Sequence, residues 1–219
     1  MKHIYIFIII SFFSTDLFSQ VYSFYSENQG ERISHRILLD NNYLIETQFT
    51  EDSNKFILTR GGFYNSNDKD IFDVSFEFNS NFENDQLKSM IIVKNKLWKN
   101  ISKSKIALDG KWLMGGRVTD NGEKRRDLNR PRKTMKFLLN GYFQWTAFNV
   151  ETFKFSGSGG GSYEIEEENY IEKIDFFSRD NSKVGMKLKF NLIEKGNDWY
   201  HKGFSSKGNP FHEIWTIRK

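Results

Sequence analysis

Histidines, clustered glutamates and a run of arginines and lysines are the side chains of this sequence that could do chemistry. His201 and His212 flank "GFSSKGNP", and antiparallel pairing across that turn would bring them side by side, with Glu213 next in the chain. A metal site can be drawn from these three. Zinc wants three or four ligands, however, and on an extended strand Glu213 points away from His212, so ordinary hydrogen-bonded histidines are the leading reading and no metal is expected. His35 has no visible partner. Glu164, Glu166, Glu167 and Glu168 in "YEIEEEN" could supply paired carboxylates for acid–base work. A solvated hairpin tip neither sets two carboxyls across a cleft nor shields one from water, and both conditions are needed. "SSK" at 205–207 lacks the helix and neighbours of a serine nucleophile with a lysine base, and no Gly-x-Ser-x-Gly elbow occurs. No catalytic residue and no cofactor are therefore assigned. A hydrolase assembled in space is a distant alternative, and it would need a histidine and a carboxylate meeting in a cleft.

The largest charge feature is "GEKRRDLNRPRKTMK", residues 122–136, where Lys124, Arg125, Arg126, Arg130, Arg132, Lys133 and Lys136 face only Glu123 and Asp127. The whole chain carries a formal charge of +4, too modest and too little concentrated for a nucleic-acid binder without a recognisable binding module. Such a run is either a solvated loop that contacts an acidic surface or a site for an anionic group.

The elements that must position these residues are strands. Phe is present 22 times, with 9 Tyr and 5 Trp against 2 Pro, so aromatic strand formers dominate. In "IFDVSFEFN" Phe72, Val74, Phe76 and Phe78 share one face, and in "GMKLKFNLIE" Met186, Leu188, Phe190 and Leu192 do the same. No segment carries a comparable helical stripe, and closely spaced turn signals predict antiparallel meanders.

The N-terminal "MKHIYIFIIISFFSTDLFSQ" pairs a basic start with an apolar run from Ile4 to Phe13 and reads as a secretory signal over residues 1–19. Without cysteine the chain has no disulfide, no thiolate metal site and no lipid-modified cysteine, which points to the periplasm or the medium rather than a membrane anchor.

The chain also repeats itself at about 100 residues. "RISHRILLDNNYLIETQFT" from Arg32 lies on "RKTMKFLLNGYFQWTAFN" from Arg132 with a one-residue gap, so that Leu38 and Leu39 fall on Leu138 and Leu139. Beyond the gap Tyr43, Thr47, Phe49, Gly61, Gly62 and Tyr64 fall on Tyr142, Thr146, Phe148, Gly160, Gly161 and Tyr163. The glycine cluster "FSGSGGGSY" thus corresponds to "FILTRGGFY", a strand with two glycines, and marks a bend or bulge rather than a phosphate loop, which would need a helix after it. With the seam near residues 100–110, the expected division is a first repeat over 20–105, whose barrel need not be complete, and a second over 106–219.

"LDGKWLMGG" and "HEIWTIRK" together resemble the lipocalin (calycin) superfamily, in which a Gly-x-Trp on the first strand lies at the closed end of the barrel beneath an Arg from the last. Gly110, Trp112 and Arg218 match that motif. The run "RKTMKFLLNGYFQWTAFN…FSGSGGGSY…IDFFSRDNSKVG…WYHKGFSSKGNPFHEIW" is similar to a family of secreted bacterial proteins with lipocalin-like domains of unknown function, over about residues 110–219. The first repeat lacks the opening Gly-x-Trp and the closing Trp-x-x-Arg. The expected fold is all-β, two tandem up-and-down barrels, with one composite barrel or sandwich as the alternative.

Such barrels are filled by side chains or hold one small ligand. The resemblance places the basic run across the open mouth, where Arg126 and Arg130 would meet an anionic group. Phe137, Trp145, Phe155, Tyr163 and Phe177, with Arg179 as polar anchor, are candidates to line a cavity or to form the core. "YFQWTAFN" is aromatic on both faces, so contact between the repeats would cover its outside. The functional expectation is a non-catalytic binder of a small hydrophobic or amphiphilic molecule. The alternative is a module with solid barrels that contacts an envelope protein or an anionic surface.

Overall fold

The computed structural model describes residues 19–219, so the expected export signal lies almost wholly outside the described residues. Two antiparallel sheets account for nearly everything described. The first repeat supplies β1 (Gln20–Asn28), β2 (Glu31–Leu39), β3 (Tyr43–Thr50), β4 (Phe56–Asp68), β5 (Ile71–Asn79), β6 (Ser89–Val93) and β7 (Lys99–Asn100), with a four-residue helix, Phe82–Asp85, after β5. The second supplies β8 (Gly110–Thr119), β9 (Gly122–Arg125), β10 (Arg132–Leu139), β11 (Tyr142–Asn149), β12 (Phe155–Glu166), β13 (Asn169–Phe177), β14 (Lys187–Lys195), β15 (Asp198–Phe204) and β16 (Pro210–Ile217).

From β10 to β16 each strand pairs with the next, β16 pairs with β8, and β8 pairs back with β10, which closes an eight-stranded barrel; β9 is a short hairpin extension of β8. The first repeat runs β6-β5-β4-β3-β2-β1-β7 and is an open sheet. It follows the barrel from β8 to β14 apart from the short β9, has no counterpart of β15, and keeps only a two-residue remnant of β16: Lys99 and Asn100 of β7 pair with Ser23 and Tyr22 as Thr216 and Ile217 pair with Leu113 and Trp112. Its first and sixth strands are therefore never joined, the incomplete form that the missing terminal motifs allowed.

Register corrects the sequence alignment in one place. Leu38 pairs with Ile45 as Phe137 pairs with Gln144, and Ile45 pairs with Gly61 as Gln144 pairs with Gly160, a constant separation of 99 residues without a gap. Leu38 thus occupies the place of Phe137, and Leu39 that of Leu138. Matching the two Leu-Leu pairs by letter would slip one strand by one residue and turn every side chain to the wrong face.

Both repeats carry the same bulge. Gly62 faces Phe76 while Gly61 faces Phe78, leaving Glu77 as the extra residue; Gly161 faces Ile174 while Gly160 faces Phe176, leaving Asp175. A Cβ on Gly62 would collide with the Ser75 carbonyl oxygen, and one on Gly161 with that of Lys173, so only glycine admits this approach. The bulge also corrects the strict alternation expected for β5. Phe72, Val74 and Phe76 pack together inside the first repeat, whereas Phe78 turns to the other face and packs with barrel residues.

That other face is where the repeats meet. Val21, Leu38, Tyr43, Ile45 and Phe78 pack on the outward side chains of Leu113, Met135, Phe137, Leu139 and Phe148. The contact has a pseudo-twofold character. Phe49 stacks on Phe176 at 5.5 Å and its counterpart Phe148 meets Phe78, the counterpart of Phe176, at 4.9 Å; Phe56 and its own counterpart Phe155 stack on each other at 6.0 Å and 2°. Residue i touching j while j′ touches i′ is the signature of an isologous interface, here within one chain. Each bulge carboxylate reaches an arginine across it: Arg36 donates to Asp175 at 2.8 Å, and Arg218 donates twice to Glu77 at 2.7 Å. Buried Gln144 completes the contact with hydrogen bonds to Thr47 and Thr59. The double-faced apolar character of β11 follows directly, since Phe143, Trp145 and Ala147 face the barrel interior and Gln144, Thr146 and Phe148 face the first repeat.

Candidate functional site in the barrel

The barrel is half filled. At its closed end Leu108, Trp112, Leu138, Tyr163, Tyr170 and Trp199 form a packed aromatic floor. Trp112 donates to the Leu108 carbonyl at 3.0 Å, and the hydroxyl of Tyr163 donates to Asp109. Above this floor lies a cavity of about 580 Å³, within the range of small-molecule sites. Successive inward positions divide between the two. On β10, Leu138 belongs to the floor while Lys136, Thr134 and Arg132 line the cavity; on β15 the same division separates Trp199 from His201.

At the boundary sits a buried ion pair. Lys136 Nζ lies 2.7 Å from Glu172, which also accepts from the Tyr170 hydroxyl at 2.9 Å, and the rings of Trp199, Trp215 and Tyr170 surround the ammonium at 5.1–5.2 Å. Charge pairing and cation–π contact together compensate the loss of water around Lys136. Burial, and next the Glu172 carboxylate, push the Tyr170 phenol well above its ordinary value, so it stays a donor.

Beside this pair His201 is 2% exposed, and neither ring nitrogen makes a hydrogen bond; the indole N–H groups of Trp199 and Trp215 also lack an acceptor in good geometry. Burial first, then the charge of Lys136, hold the His201 imidazole well below its usual range, so it is neutral. Glu213 Oε2 approaches His201 Nδ1 at 3.9 Å, beyond hydrogen-bonding distance. Burial raises the Glu213 carboxyl, against the opposing charges of Lys136 and Arg117.

The walls are apolar and largely aromatic, from Met114, Phe143, Trp145, Ile174, Phe177, Phe190 and Phe211 among others. Near the mouth Arg126, Arg132 and Arg179 contribute to the lining, while Arg117 lies in one cross-strand row with Glu213 and His201. The Arg179 guanidinium lies 5.5 Å from the Trp145 ring and donates to the Ser156 carbonyl, while Arg117 stands 3.6 Å from Glu213. Burial and the neighbouring charges of Arg130 and Arg117 lower the affinity of Arg126 for its proton, the mark of a locally positive potential.

Among the residues expected from the sequence to bind a ligand, Trp145, Phe177, Arg179 and Arg126 line this cavity. Phe137 and Phe155 do not. Both point outward and pack against the first repeat: alternation places Phe137 on the face opposite Lys136, and the bulge at Ser156, between the Ala147–Gly157 and Phe148–Phe155 pairs, turns Phe155 away from the inward face of Gly157. Tyr163 is in the floor, below the cavity. Arg130 lines a small hollow with Leu128 and Lys133 that adjoins the cavity through Met114, Arg132 and Thr134, so the basic run meets the cavity itself through Arg126, Arg132 and Lys136. Of the motif residues, Gly110 takes φ 152° and Trp112 lies in the floor, but the Arg218 side chain reaches outward to Glu77 and over Phe63 at 4.9 Å.

His201 and His212 do not come side by side. Register sets His201 against Glu213 and Lys202 against His212, so His201 faces in while His212 faces out near Tyr200. Glu172, His201, Glu213, Arg117 and Trp215 were not singled out as cavity residues from the sequence. A lysine at an inward position between Thr134 and Leu138 was the one legible sign of a polar interior, and the surrounding basic run masked it.

Chemically the site can receive an anion at the mouth, enclose an apolar body, and offer a neutral imidazole and indole N–H at its base. Among the described residues no hydroxyl is hydrogen-bonded to His201. No protein-family model matches the chain, and no curated protein matches it in sequence.

Proposed function

We propose that this protein is an exported, non-catalytic, lipocalin-like carrier or sensor that binds one small anionic amphiphile in the upper half of its barrel. The observation that carries this reading is the 580 Å³ cavity whose walls are aromatic and whose lining includes Arg126, Arg132 and Arg179 near the mouth and Arg117 deeper, beside Glu213. Closing a barrel around a solid core would need none of these arginines. Their guanidiniums match a carboxylate, phosphate or sulfate group, and the aromatic walls match its apolar remainder. The basic start and apolar run at the N-terminus support export.

Titration of the purified protein with decanoate and with anilinonaphthalene sulfonate, followed by native mass spectrometry, tests this. One equivalent should bind, the Arg126→Ala/Arg132→Ala double variant should bind at least ten-fold more weakly, and Ala147→Trp should block uptake by filling the cavity. Failure of both anions to bind, or binding indifferent to Ala147→Trp, overturns the reading. A second reading, a protein-interaction module, is favoured by the free edge strand β6, where Ile91 is 65% and Val93 54% exposed. It expects concentration-dependent association that Ile91→Lys abolishes.

A further inference from the structure

The base of the cavity offers hydrogen-bonding capacity that the protein itself leaves unused. Lys136 donates to Glu172, and Tyr170 donates to the same carboxylate oxygen. Among the described residues His201 satisfies neither of its ring nitrogens, and the Trp215 indole beside it has no acceptor in good geometry and only a weak contact with Glu213, although both side chains are buried and line the cavity. Buried polar groups without partners are costly, and in a binding site the missing partner belongs to the ligand.

The chemistry of that partner is constrained from three sides. A second anionic group is opposed by the carboxylates of Glu172 and Glu213, which face the same space. A cation is opposed by Lys136. A neutral imidazole carries one N–H and one bare nitrogen, and an indole carries one N–H, so the group that satisfies both must accept and donate at once. A hydroxyl does this, accepting from Trp215 and donating to the bare nitrogen of His201, whereas a carbonyl can only accept.

Arg132 and Lys136 lie four positions apart on β10, which at about 3.3 Å per residue is roughly 13 Å along the strand, so the mouth and the base of the cavity are separated by apolar wall. Resting on the anionic-amphiphile reading above, we propose that the cavity selects a ligand of two polar ends: an anionic group held among the arginines at the mouth, an apolar body between, and a hydroxyl at the far end received by His201 and Trp215.

The experiment compares decanoate with ω-hydroxydecanoate by isothermal titration on the full mature chain. The hydroxylated acid should bind about ten-fold more tightly, and His201→Phe should remove that preference, read as the ratio of the two affinities in the same folded variant. Trp215→Phe, read in the same way, stands in if His201→Phe does not fold, and should reduce the preference. Equal affinities in the wild type, or a preference that survives in a folded variant, overturn the inference while leaving the anionic-amphiphile reading intact. If neither acid binds the folded protein, that reading fails and this inference fails with it.

Discussion

The two repeats present the same outer face and opposite interiors. On the shared face, equivalent residues do equivalent work: Phe49 and Phe148, Phe78 and Phe176, Phe56 and Phe155 interlock about a pseudo-twofold axis, and Glu77 and Asp175 each take an arginine from across the interface. Inside, the positions of Lys136, Trp145, Tyr170 and Glu172 in the barrel are held by Ile37, Glu46, Phe72 and Val74 in the open sheet. The first repeat therefore fills its concave side with Ile37, Leu39, Leu44 and Phe76, covered by Trp98, and keeps its charges in a separate knot where His35, Gln48 and Arg60 hold Glu46. The barrel leaves a cavity and sets its charges at the base. Selection for mutual packing acts on one face and is met by both repeats; the other face is free to diverge into a prop and a pocket.

The sharpest way to break this comparison is at the shared bulge. Gly161→Ala forces a Cβ into the Lys173 carbonyl and should cost about 4 kcal/mol, with Gly62→Ala similarly severe, as read by urea denaturation. A cost below about 1 kcal/mol at either glycine would remove the equivalence of the two bulges.

Next is the charge knot that belongs to the first repeat alone. Burial by itself would push the Glu46 carboxyl up, but the His35 hydrogen bond and the Arg60 and Gln48 contacts outweigh it and lower it from 4.5 to about 2. A carboxyl depressed on folding stabilises the protein above its unfolded value and loses that contribution as pH falls from about 4.5 towards 2, a difference of roughly 3 kcal/mol. Glu46→Gln should thus be destabilised near neutral pH and converge on the wild type near pH 2. A gap that does not shrink with pH would mean that Glu46 acts through packing rather than charge.

Arg218→Ala should cost about 2 kcal/mol by stranding Glu77 at the interface. Combined with Glu77→Gln it should cost less than the sum, and strict additivity in the double-mutant cycle would show that the pair does not couple the repeats. The smallest effect on stability is expected at Arg126→Ala, within about 0.5 kcal/mol, because its role at the mouth is directed at a ligand rather than at the fold. A larger loss in thermal unfolding would assign Arg126 to the structure.

Periodicity and glycine placement made the strands legible. All eight barrel strands, the repeat and the bulge at the glycine cluster follow from local pattern, since strand alternation and the steric freedom of glycine act within a few residues. The cavity was legible only in part. Trp145 and Phe177 stood out as aromatics on an inward face, but Phe137 and Phe155 look identical in the sequence and serve the interface instead.

What the sequence determined by itself is the antiparallel all-β class, the duplication and the aromatic double face of β11, because these depend on neighbours along one strand. Tertiary structure alone decided that the second copy closes and the first does not, that Arg218 turns to Glu77, and that His201, Glu172, Trp215 and Glu213 converge at one depth. Those outcomes depend on how strands distant in the chain stagger around the barrel. A shift of one residue in any of those registers would have sent the same side chains to solvent.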